Sequence, residues 1–149
     1  MAYGSHFTTA AYPGVQRVDA WKEALGLLSL RSNNFGQHAG FHGSAQSIVS
    51  PLGISFARIA SGPQEFFGLG DNSPNGAWVT LLLAGKAHLE TETAETDLAP
   101  GDIAYGRLHG SFRISFTQEF QQCFIVIPRS VLDARLVSGF EAGPGFIRG

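Results

Sequence analysis

The chain has 149 residues, 44% hydrophobic and 15% charged, with a formal net charge of −2. That is the length of one domain with enough apolar material for a core, which excludes a disordered chain and a coiled coil. Ten Lys and Arg are scattered against twelve Asp and Glu, so there is no basic face with which this chain would bind nucleic acid by itself.

In chain order, the opening MAYGSHFTTA lacks the basic start and apolar core of a signal peptide. Residues 1–17 are small, aromatic and turn-forming, and read as a loosely attached arm. VDAWKEALGLLSLR then has helical spacing: Asp19 can cap it, and Trp21, Ala24, Leu25 and Leu28 recur on one face. Asn33, Asn34 and Gly36 are the expected stop. From about residue 40 the pattern changes to short strands. SIVSPLGISFARIA is two apolar pieces broken by Pro51 and Gly53, and SGPQEFFGLGDNSPNG reads as one long loop.

AWVTLLLAGKAHLETET predicts a strand, a Gly-Lys break and a second strand. In the second, Ala87, Leu89 and Thr91 face one way and His88, Glu90 and Glu92 the other. DIAYG, SFRISFT and FQQCFIVIP are three more strands. Phe112, Ile114 and Phe116 share a face opposite Arg113 and Ser115, a period of two that marks a half-buried strand. The lone cysteine, Cys123, sits in the last of these as a small buried hydrophobe. It excludes an intrachain disulfide and suits a reducing cytoplasm. RSVLDARL follows with a Ser-x-x-Asp start at Ser130 and Asp133, which predicts a short helix turning Leu132 and Leu136 back onto the strands. VSGFEAGPGFIRG, with four glycines in thirteen residues, reads as a frayed end or linker. Apolar runs such as WVTLLLA are too short to span a bilayer. Short strands with turns at this spacing predict a sandwich or barrel.

Few constellations in this chain could carry chemistry. Gly68-x-Gly70 reaches Ser73 where a third fingerprint glycine would stand, and no βαβ unit surrounds it. His38 and His42 are four apart but lie in the glycine-broken HAGFHG, a poor helix for a metal pair. His88, Glu90 and Glu92 share what reads as the wet face of a strand. There is no Gly-x-Ser-x-Gly elbow. Asp71 and Asp102 sit in turns, where aspartate bonds its own backbone.

Gly85 after one strand and Pro100-Gly101-Asp102 before another resemble the cupin motifs. Aligned on Gly85, the ligand glutamate of the first motif falls on Trp78, and its two histidines fall near Asp71 to Pro74, where there is none. Aligned on Gly101, the second motif's histidine falls on Phe112, or on His109 if a gap is allowed. A catalytic divalent metal needs about three protein ligands, so no metal and no cofactor is expected. A tryptophan-bearing N-terminal helix, LLLAG, LAPGD, SFRISF and the ending IVIPRSVLDARL together resemble the effector-sensing and dimerisation domain of AraC-type bacterial transcription regulators, over residues 18–137.

The resemblance implies a mainly β, cupin-like double-stranded β-helix (a jelly-roll barrel) with an N-terminal helix and a short C-terminal helix. Residues 1–17 would be an arm, residues 18–137 the sensor, and residues 138–149 a linker-like tail toward a DNA-binding domain absent from this chain. It implies a metal-free, cytoplasmic, non-enzymatic homodimer that senses a small-molecule effector and reaches DNA only through a helix-turn-helix domain elsewhere, with no membrane partner. Strand alternation and position propose Phe56, Arg58, Trp78, Tyr105, His109, Phe112 and Phe116 as ligand-binding residues, with core packing as the competing reading for each. Arg58 shares a face with Ile54 and Phe56 and needs a partner, either an anionic effector or a carboxylate such as Glu65. Two other readings stand beside this one. One is a small cupin isomerase or dioxygenase with a metal on His88, His109 and a Glu. The other is a structural dimerisation module whose pocket its own side chains close.

Overall fold

The structure is a computed structural model that describes residues 3–33, 41–68, 75–134 and 144–149. Leu136 and the end of the expected sensor domain lie outside the described residues, as do His38, Gly70, Asp71, Ser73 and Pro74.

The fold is a two-sheet barrel of antiparallel strands. One sheet has seven strands and the other five. β1 (Tyr3–Thr8) leads through two 3-10 turns to α1 (Arg17–Gly26) and β2 (Leu30–Asn33). β3 (Gly43–Val49), β4 (Ser55–Ser61), β5 (Gln64–Gly68) and β6 (Gly76–Ala84) follow. Then come β7 (Ala87–Thr91), β8 (Glu95–Leu98), β9 (Ile103–Arg107), β10 (Phe112–Phe116) and β11 (Phe120–Pro128). α2 (Arg129–Ala134) and β12 (Gly145–Ile147) end the chain. The large sheet runs β1-β3-β4-β11-β6-β9-β12, and the small one β2-β5-β10-β7-β8. Among the described residues, no helix is long and apolar enough to cross a membrane.

Alternation places the core. Ala57 and Ile59 on β4, Trp78 and Leu82 on β6, and Gln122 and Phe124 on β11 face inward from the large sheet. Phe66 on β5, Leu89 on β7, and Phe112, Ile114 and Phe116 on β10 meet them from the small sheet. The rings interlock: Trp78 lies 4.6 Å from Phe112 and stacks at 6.4 Å on Phe124, while Phe66 meets Phe116 edge-on at 5.8 Å. Such pairs add to the burial of the rings themselves.

The expected helix forms, but shorter than its pattern. It stops at Gly26 because Ser29 takes the left-handed region, φ 62°, and turns the chain into β2. Asp19 sits in its first turn, and the N-cap is Gln16. Trp21 and Leu25 are fully buried and plug one end of the barrel. The indole Nε1 donates to Gln64 Oε1 at 2.9 Å, and the ring lies so close to Gly43 that a Cβ there would stand 2.9 Å from it.

The arm and the tail differ from their sequence reading. The arm contains β1, paired with β3 along its whole length. In the tail, Gly145, Phe146 and Ile147 pair with Tyr105, Ala104 and Ile103. β2, β5 and β8 form where no strand is expected. α2 begins at Arg129, which donates to Asp133 at 2.9 Å, so Ser130 lies inside its first turn rather than before it. Leu132 turns inward, 8% exposed.

Candidate ligand cleft

The sequence-derived site residues divide between two faces. Trp78 and Phe112 are buried and in contact inside the barrel. Phe116 is buried too, but stacked on Phe120 at 3.6 Å within the packed aromatic cluster.

Phe56 and Arg58 are corrections. Both lie on the outer face of the large sheet, with Phe56 42% exposed and in register with Ile48 and Ile125. The inward residues of that strand are Ala57 and Ile59. The partner that Arg58 has here is a neutral side chain on the neighbouring strand: its Nη2 donates to Gln121 Oε1 at 2.9 Å. Tyr105 pairs with Val79, on the opposite side of the pleat from the pair Trp78–Gly106, so it does not enter the barrel interior. His109 is exposed in the turn between β9 and β10. Cys123 faces outward, half-buried, with its thiol pKa raised by burial.

The barrel centre is filled by rings. Space opens where the two sheets part, between β7–β8 on one side and β9–β12 on the other. One cavity of about 290 Å³ is lined by Leu89, Thr91, Thr96, Tyr105, Gly145 and Phe146. A second, of about 180 Å³, has Trp78, Gly106 and Phe112 at its back and Glu92 and Arg107 beside them. Thr91 and Pro144 line both, so the two adjoin as one cleft of the size that holds a small organic ligand. Gly106 lets the indole lie against β9, since a Cβ there would stand 3.0 Å from the Trp78 ring. Leu89, Thr91, Thr96, Pro144, Gly145 and Phe146 were missed by sequence reasoning. The alternation of β7 did place Leu89 and Thr91 on the dry face; nothing in the glycine-rich tail marked Pro144 to Phe146 as part of a wall.

One polar residue holds this edge together. Ala99-Pro100-Gly101-Asp102 is a tight turn, with Gly101 at φ 96° and the Asp102 amide bonded to Ala99 O at 2.9 Å. Glycine at this position accepts the positive φ without strain. The Asp102 carboxylate accepts from its own turn, Ala99 N at 2.9 Å, which is the role expected of it. It also accepts from Gly149 N and from Arg148 Nη1, each at 2.9 Å. The backbone amides of Ala99 and Gly149, then the Arg148 guanidinium, lower its pKa from 3.8 to about 2.

The outer face of the small sheet carries charge. His88 Nδ1 is 2.7 Å from Asp97, and its Nε2 lies 3.7 Å from Glu90 and 3.6 Å from Glu95. The hydrogen bond to Asp97 is the main reason its pKa rises. Glu90 is also held by Arg113. Among the described residues, the group whose donor atoms come together as metal ligands could is His88, Glu90 and Glu95, without His109. At two of the four cupin ligand positions the barrel interior presents the indole of Trp78 and the phenyl of Phe112, which offer no ligand atom for the metal of that fold; the other two positions fall near Asp71 to Pro74, outside the described residues.

No protein-family model matches the sequence, and no curated protein matches it. Solved structures do match. The AraC-like transcriptional activator CuxR superposes with a TM-score of 0.73 at 16% identity, over 100% of this chain and 55% of that one. A cupin superfamily protein from Desulfitobacterium hafniense superposes with a TM-score of 0.50 at 14% identity, over 64% of this chain and 82% of its own. The chain has the cupin-type fold. Its barrel is mainly β, with the small N-terminal and C-terminal helices that the sequence pattern implies, and it spans about half the length of the AraC-like activator.

Proposed function

We propose that this chain is the effector-sensing domain of an AraC-type transcription regulator. It takes a small molecule in the cleft between β7–β8 and β9–β12, without a metal and without catalysis. As a cytoplasmic homodimer it passes the result to a helix-turn-helix domain outside these 149 residues. The observation that carries the reading is the superposition of the whole chain on 55% of an AraC-like activator, which leaves length in that protein for a second function. The cleft supports it: an indole and a phenyl ring give apolar contact area, and Arg107 and Glu92 stand beside them as charged groups that can orient a polar ligand edge. Trp78 and Phe112 at two of the cupin ligand positions support the metal-free part. Arm, sensor and tail boundaries at residues 17 and 137 belong to the same proposal.

Thermal-shift screening of the purified chain against sugars, small acids and aromatics tests it. A ligand present at a hundred times its Kd adds about 2.7 kcal/mol, which raises Tm by roughly 5–10 °C in a domain of this size. Ala94→Trp, on the exposed rim of the cleft, is expected to remove the shift while the protein stays folded. No shift with any class, or stoichiometric iron, manganese or zinc bound through His88 and a Glu, overturns the reading.

A further inference from the structure

Pro144, Gly145 and Phe146 line the cleft, and the segment 144–149 that carries them is held by few contacts. We propose that this segment is a detachable wall, docked on the free edge of β9 through Asp102, and that a ligand filling the cleft strengthens its docking. Calling the cavity a ligand cleft rests on the sensor reading; the docking itself does not.

Three register pairs attach β12, and its large side chains bury little: Phe146 is 45% and Ile147 56% exposed. The hydrophobic anchor that fixes the other strands is therefore weak here. What remains is polar and concentrated in one side chain. Arg148 reaches Asp102 Oδ2 at 2.9 Å, the Asp97 carbonyl at 2.6 Å and the Thr96 hydroxyl at 2.6 Å, and its guanidinium lies 4.6 Å from the Phe146 ring. Thus one arginine joins β12 to β8 and to the turn before β9. Asp102 closes the clamp by accepting from the Gly149 amide. Segments with few apolar contacts and a small polar anchor open at far lower free energy than the core.

Space for this docking is specified by sequence. At Gly145, a Cβ would overlap the end of the Tyr105 side chain, so glycine lets the strand lie beside that ring where it stands. Pro144, Gly145 and Phe146 face the cavities. A ligand touching them makes contacts that exist only when the strand is docked, and it shifts the equilibrium by that difference.

Amide hydrogen exchange on the full chain tests the docking without any ligand. Amides of residues 145–149, and the β9 amides within 103–105 that point to β12 rather than to β6, are expected to be protected. Arg148→Ala should raise exchange in both segments by about tenfold or more, the scale of losing hydrogen bonds to a charged group, and leave β6, β10 and β11 unchanged. Gly145→Ala should do the same, and the added change Tyr105→Ala, which makes room for the new methyl, should restore protection. A variant that merely misfolds would not be rescued. Free-peptide exchange of 145–149 in the unaltered chain, or unchanged protection in Arg148→Ala, overturns the proposal. Anilinonaphthalene sulfonate reads the wall: its fluorescence should rise in Arg148→Ala as Leu89 and the Trp78 side of the cleft are uncovered, and an equal signal overturns that part. A thermal-shift screen without hits would end the sensor reading and leave the exchange result standing. An unprotected tail would end the docking proposal and leave the screen standing.

Discussion

Trp21 shows how much one side chain decides. It is fully buried, its ring lies 5.7 Å from Phe41 and 6.0 Å from Phe7, and its Nε1 satisfies Gln64. Trp21→Ala is expected to cost about 3–5 kcal/mol through the cavity left at the end of the barrel. Trp21→Phe keeps most of the apolar area but leaves the Gln64 oxygen without its donor, at about 1–3 kcal/mol. Urea denaturation of the two variants separates packing from polar satisfaction. His88 makes a second case. Its pKa lies above 6.5 in the folded chain, because of the bond to Asp97 and the carboxylates of Asp97 and Glu95. A raised folded pKa means that the stability it contributes is fully present below pH 6.5 and is lost as pH rises through the folded value. An NMR titration of the imidazole is expected to show the raised midpoint, and Asp97→Asn to return it toward 6.5. An unchanged midpoint in the variant would assign the shift to another group.

Among the elements, β4 explains what the sequence showed and what it hid. Both phases of Phe56-Ala57-Arg58-Ile59 carry apolar groups, and choosing the phase by the size of Phe56 puts the wrong face inward. Arg58 was the better guide: a charge on an antiparallel strand marks the solvent face, and Phe56 shares it. β7 and β10 were legible from their alternation, and β6 and β11 from apolar runs bounded by turn residues. β5 and β8 were not, since Gly62-Pro63 and the polar Glu95-Thr96-Asp97 mask short strands stabilised by pairing, β5 with β2 and β10 and β8 with β7. The cleft was half legible for the same reason: its aromatic back lies on regular strands, and its outer wall lies on a glycine-rich tail whose strand exists only by pairing with β9. Turn glycines can be tested at this scale. Gly85, between β6 and β7, has φ 91°, and a Cβ there would stand 2.7 Å from the Glu119 carbonyl oxygen. Gly85→Ala carries the left-handed cost of about 1–2 kcal/mol and the clash besides. It should lower the urea midpoint, whereas Gly26→Ala, with nothing within 4 Å of its new Cβ, should hold or raise it.

For the whole molecule, the two sheets are joined by buried rings through the centre and by Asp102 at the edge. That carboxylate ties the β8–β9 turn to the end of the chain, so its ionisation is linked to how completely the barrel closes. Its pKa falls from 3.8 to about 2 on folding. A depressed folded pKa contributes stability that is present above the unfolded value and lost as pH falls through the folded one. The contribution should therefore be constant at neutral pH, begin to fade near pH 4, and be gone near pH 2. Asp102→Asn removes the charge at every pH while keeping the shape. Urea midpoints of the two chains are expected to differ most above pH 5 and to converge as pH falls toward 3, with the unaltered chain moving and the variant nearly flat in the share due to this group. A gap that persists unchanged to pH 3 would mean that the carboxylate's charge does not hold the edge, and that the shape of the Pro100-Gly101-Asp102 turn does so alone.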